Sequence, residues 1–102
     1  MNADPDPTRT DIDSTPGAVL LEFGAWWCGY CQSAKPLIEA ALQQFPQARH
    51  IKVEDGKGRP LGRSFSVKLW PTLIFLTDGE EKSRLVRPSD RTQIEAGLRS
   101  IT

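Results

Sequence analysis

Trp26-Trp27-Cys28-Gly29-Tyr30-Cys31 constrains this chain more than any other stretch, because it holds the only two cysteines in 102 residues. The apolar run Val19-Leu20-Leu21-Glu22-Phe23 before it reads as a strand. Near-continuous apolar character suits a central strand covered on both faces. After it, Ala34, Leu37, Ile38, Ala41, Leu42 and Phe45 recur with a helical period, so 31–45 reads as a helix. The pair therefore sits where a strand passes into a helix. Cys28 falls at the helix N-terminus, where unpaired N–H groups and the dipole favour a thiolate. Its expected exposure makes it the attacking sulfur. Cys31, one turn further in, is the resolving sulfur of a thiol–disulfide exchange.

Two cysteines two residues apart cannot staple distant segments. A closed zinc site needs about four ligands, and beyond the pair there is a single histidine, His50. No metal and no bound cofactor is expected. The formal net charge is zero, which gives no support to a nucleic-acid surface. No run approaches the ~18 apolar residues of a membrane span, and Met1 to Asp13 lacks the basic start and apolar stretch of a secretory signal. The expectation is a cytoplasmic monomer without a membrane segment.

Residues 1–16, rich in proline, aspartate and threonine, read as a mobile leader with an edge strand around Thr8 to Ile12. Residues 17–102 read as one domain. Pro36 lies inside the first long helix and Pro46 stops it. His50 to Glu54 alternates as a second strand, and Leu61 to Phe65 reads as a short helix. Thr72 to Leu76 is a third strand. Asp78-Gly79 signals a two-residue hairpin, so Glu81 to Val86 returns antiparallel. Ser89 or Asp90 caps the last helix, with Gln93 as the reciprocal partner of Asp90. Ile94, Leu98 and Ile101 are its buried stripe.

Trp27-Cys28-Gly29-x-Cys31, Pro36, Leu69-Trp70-Pro71-Thr72 and Asp78-Gly79, at these spacings, resemble the thioredoxin superfamily from about Val19 to Ile101. The resemblance implies an α/β fold: a central mixed four-stranded sheet with helices on both faces and a shortened N-terminal strand and helix. It implies a redox-active centre that reduces or exchanges protein disulfides and serves cell redox homeostasis. The oxidised pair would be regenerated by a recycling reductase or another dithiol protein. It also implies a cis bond at Pro71, beside which a substrate chain pairs as an added strand.

Alternation puts Glu22 on the same face as Leu20, hence buried if the strand is central. A buried carboxyl there can take the proton from Cys31. By resemblance an aspartate stands at this position, and Lys52 matches a strand lysine near it. Trp27, Gly29, Tyr30, Trp70, Pro71 and Arg87 complete the expected substrate-binding set. Trp26 and Trp70 are read either as an apolar rim or as core, and Tyr30 as exposed. The departures from the family are Tyr30 within the motif, Gly24 where tryptophan is frequent, the extra Trp26, Trp70 in place of a smaller residue, and Arg87 near a position that is usually glycine. Two other readings remain at this point. One is a glutaredoxin-like, glutathione-dependent reductase, which Tyr30 fits but which lacks that family's Thr-Val-Pro and Gly-Gly-x-Asp. The other is an adaptor that binds a partner without turnover.

Overall fold

The computed structural model describes residues 6–102. Its elements are α1 (Arg9–Asp13), β1 (Ala18–Gly24), α2 (Gly29–Gln43), β2 (Arg49–Glu54), α3 (Pro60–Ser64), β3 (Thr72–Thr77), β4 (Glu80–Val86) and α4 (Arg91–Ile101). The strands form one mixed sheet in the order β2-β1-β3-β4. Strand β1 pairs in parallel with β2, which requires the crossover that α2 supplies, and antiparallel with β3.

Alternation along β1 divides the core. Val19, Leu21 and Phe23 face one side, with Val53, Ile74, Leu76, Ile12 of α1, and Leu61 and Phe65 at α3. Leu20 faces the other, with Leu73, Phe75, Ala34, Ile38 and Ala41 of α2, and Ile94, Leu98 and Ile101 of α4. Gly97 lets α4 lie flat on Phe75, whose ring stands where a Cβ would be. The turn at Asp78-Gly79 has positive φ at both residues, 52° and 81°, the geometry that joins twisted antiparallel strands.

Three expectations are corrected. The segment around Thr8 to Ile12 is a helix, not an edge strand. Thr8 accepts from the Asp11 N–H while Asp11 accepts from the Thr8 N–H, and this reciprocal cap starts α1. Nor is the described part of residues 1–16 a loose leader. Ile12 is 1% exposed, and Arg9 donates to the Ser64 carbonyl and lies 3.8 Å from the centre of the Phe65 ring. Residues 1–5 of that leader lie outside the described residues. At α4, Asp90 caps through the Thr92 N–H, but Gln93 accepts from the Ser89 N–H, one residue earlier than expected.

Candidate active site

Both thiols lie where β1 hands over to α2. Cys28 is the N-cap of α2, and its Sγ accepts the Cys31 N–H at 3.4 Å. The preceding turn is fixed at its backbone. The Cys28 N–H donates to the Ala25 carbonyl at 3.0 Å, the Trp26 N–H to Glu54 Oε1 at 3.1 Å, and Gln32 Nε2 to the Trp26 carbonyl at 3.1 Å. Cys28 is more covered than expected: it is 7% exposed, close to the 8% of Cys31. Trp70 packs against the small cluster of Ala25, Cys28 and Cys31 and adds cover that the sequence did not reveal.

The two sulfurs differ in acidity despite this similar cover. Burial opposes ionisation of Cys28. It is outweighed by hydrogen bonds from the Cys31 thiol and N–H, the Tyr30 N–H and the positive charge of Arg87, so the pKa falls below the ordinary thiol value. Burial dominates at Cys31 and, with the negative charges of Cys28 and Glu22, pushes its pKa up to about 11. The Cys28 thiol therefore ionises more readily than the Cys31 thiol. Gly24 gives Cys31 its place, since a Cβ on Gly24 would lie 2.8 Å from Cys31 Sγ.

Glu22 is 3% exposed, on the face of β1 that carries Gly24. Its carboxyl is hydrogen-bonded through Oε1 to Nε2 of His50 at 2.7 Å. Lys52 is the register partner of Glu22 across β1 and β2, but its side chain is exposed and has no ion pair among the described residues. The sequence reading assigned His50 no role beyond starting a strand. Residues 50 and 52 share a face, and side-chain reach separates them.

The cover over the thiols is aromatic. Trp26, Trp27 and Tyr30 are 73%, 60% and 59% exposed, so Trp26 is not a core residue. Trp27 meets Trp70 edge to face, with ring centres 5.6 Å apart. The Trp70–Pro71 peptide bond is cis. Trp70 Nε1 donates to Asp55 Oδ2 at 2.8 Å, and the same carboxylate fills the space a Cβ on Gly62 would need. Asp55 is a second residue the sequence did not single out, because its partners are distant along the chain and joined by loops. Arg87 donates from Nε to the Trp70 carbonyl at 2.8 Å, and its guanidinium carbon lies 3.8 Å from the centre of the Tyr30 ring. Gly29 in the first turn of α2 is exposed, with open space where a Cβ would be.

Comparison with known proteins agrees with this geometry. The family model described as Thioredoxin matches residues 5–100. The chain is 38% identical over 79 residues to a thioredoxin of Chlamydia trachomatis, covering 76% of each protein. Its fold superposes on thioredoxin 2 from Pseudomonas aeruginosa, in its reduced form, with a TM-score of 0.83 and 49% identity, covering 93% of this chain and 88% of that one. It superposes on a mutant thioredoxin from Halobacterium salinarum with a TM-score of 0.79 and 29% identity, covering 95% and 88%. The chain belongs to the thioredoxin family and is a thiol–disulfide oxidoreductase that works through the Cys28–Cys31 dithiol.

Proposed function

We propose that the protein reduces protein disulfides, with Cys28 as nucleophile, Cys31 as resolving thiol and Glu22 as the base that frees Cys31. The observation that carries this assignment is the split between a Cys28 thiol held below its ordinary pKa and a Cys31 thiol raised to about 11. The Cys28 thiolate attacks one substrate sulfur, and the other leaves as a thiolate that takes a proton. Cys31 then gives its proton towards Glu22 through water and attacks Cys28 Sγ. The Cys28–Cys31 disulfide forms, and the second substrate sulfur leaves and is protonated. The substrate gains two electrons and two protons in all, and the dithiol loses them.

His50 extends the proton path. Its side chain is 31% exposed against 4% for Glu22, so it links a buried carboxyl to solvent. This is the place the resemblance gave to Lys52. Trp27, Gly29, Tyr30, Trp70, Pro71 and Arg87 form the substrate surface. A reductase or another dithiol protein restores the dithiol. We assign the working form as a monomer and its compartment as the cytoplasm, where thiols are kept reduced. No helix among the described residues is long and apolar enough to cross a membrane.

Reduction of insulin by dithiothreitol tests the function. Catalytic amounts of the protein should hasten precipitation of the insulin B chain, and Cys28→Ser should abolish the effect. Wild-type protein that gives no acceleration would refute the reading. A Cys31→Ser variant should hold substrates as mixed disulfides.

A further inference from the structure

Cations flank the dithiol on both sides of Trp70, although the chain has a formal net charge of zero. On one side is Arg87, whose φ of 52° is left-handed, a conformation uncommon for residues other than glycine. From there it reaches across the groove, bonded to the Trp70 carbonyl and stacked on Tyr30. Its one end touches the residue between the thiols and its other the residue before Pro71. Among the described residues Arg87 has no carboxylate partner.

On the other side, Trp70 forms part of the wall of a cleft of ≈ 330 Å³ that also carries Lys57, Arg59, Arg63 and Lys68. The one carboxylate of that cleft, Asp55, is held by the Trp70 indole. Arg59 is paired with Asp6 at 2.7 Å. Lys57, Arg63 and Lys68 are exposed and have no ion pair among the described residues.

We propose that this rim selects disulfides lying in acidic, extended polypeptide segments. The proposal rests on Cys28 being the attacking thiol. An extended segment entering the groove needs the Trp70 carbonyl and the face of Tyr30, and Arg87 occupies both. A neutral segment displaces the guanidinium and gives it nothing in return. A segment with Glu or Asp beside its cysteine receives the guanidinium in a charge-assisted bond. A second acidic side chain, across Trp70, meets Lys57, Arg63 and Lys68. The same charges steer encounter, so selection weakens as salt rises.

The test uses three disulfide-bridged peptides of equal length, with two Glu, two Gln or two Lys flanking one cysteine. The rate constant for reduction of each by the reduced full-length protein is measured at low and at high salt. At low salt the Glu peptide should react about tenfold faster than the Gln peptide, as steering by a few charges allows, and the Lys peptide slower than both. The Glu-to-Gln ratio should shrink at high salt. It should also fall several-fold in Arg87→Gln and in the triple variant Lys57→Gln, Arg63→Gln, Lys68→Gln. Reading a ratio removes any change in the reactivity of Cys28 itself. Equal rates for the Glu and Gln peptides, or a ratio unchanged in both variants, overturn the proposal while leaving the dithiol chemistry intact. Failure to reduce any of the peptides overturns the dithiol reading and this proposal with it.

Discussion

Nε2 of His50 lies 2.7 Å from Oε1 of Glu22, and this bond gives a partner to a carboxyl that the fold buries to 3% exposure. The pair ties β1 to β2 through polar side chains and places an imidazole ring between the carboxyl and solvent.

Replacing His50 by leucine should leave Glu22 buried without a partner. Stranding a buried charged acceptor costs about 1–3 kcal/mol or more. For a domain of this size the melting temperature should fall by roughly 4–8 °C per kcal/mol. His50→Gln keeps a donor and should recover most of the stability. Gln cannot carry a proton, so release of the mixed disulfide should slow at least about tenfold in both variants, within the range of general-base effects. Thermal unfolding and rapid-quench kinetics separate the two consequences. Equal release rates in wild type and His50→Gln would remove His50 from the proton path.

Alkylation by iodoacetamide across pH should resolve two steps. The thiolate is the reacting form, so each rate rises with pH through the pKa of its own sulfur. Cys28 should rise below the ordinary thiol value of 9.0 and Cys31 near 11. The stability consequences have opposite signs. The lowered Cys28 pKa stabilises the fold above 9.0, and that contribution is lost as pH falls through the folded value. The raised Cys31 pKa stabilises the fold below 9.0, and that contribution is lost as pH rises towards about 11. Mass mapping of the alkylated cysteine at each pH checks the assignment.

Arg87→Gln should move the Cys28 step upward, because a positive charge that favours the thiolate has gone. Arg87→Lys keeps the charge and should leave the step lower than in Arg87→Gln. If the glutamine and lysine variants titrate alike, charge is not what Arg87 contributes.

Gly24→Ala places a methyl 2.8 Å from the present position of Cys31 Sγ. Overpacking of this kind costs about 1–3 kcal/mol. The displaced sulfur should resolve mixed disulfides more slowly, while alkylation of Cys28 changes little. Single-turnover reduction of a disulfide peptide, followed by mass spectrometry, would show the mixed disulfide accumulating.

Much of the fold was legible because its elements are periodic. Val19 to Phe23, the α2 stripe from Ala34 to Ala41, and Ile94, Leu98 and Ile101 each repeat often enough to reveal a face, and Asp78-Gly79 marks the turn between β3 and β4. The five residues of α1 are too few to show a period. The reciprocal cap between Thr8 and Asp11 was its signal, obscured by neighbouring prolines and aspartates. The cysteines and Glu22 could be picked out from spacing and alternation, and Trp70 from the resemblance carried by Leu69-Trp70-Pro71-Thr72. His50 was passed over for Lys52, which the resemblance favoured and which the register sets opposite Glu22, because only the side-chain geometry shows that the imidazole reaches the carboxyl. The bond from Trp70 to Asp55 lay beyond reach, because it joins two loops with no pattern in common. The cover over Cys28 was misjudged for the same reason, as Trp70 closes it from a distant segment.

Asp55 holds the indole of Trp70 and occupies the space left by Gly62. Mutations at the three positions are therefore epistatic. Gly62→Ala introduced first collides with the Asp55 carboxylate. Introduced after Asp55→Ser it meets a shorter side chain, but Trp70 has by then lost its anchor. The shape around Trp70 is thus set jointly by a loop carboxylate and a helix glycine, and a substitution at either position has an effect that depends on which residue stands at the other.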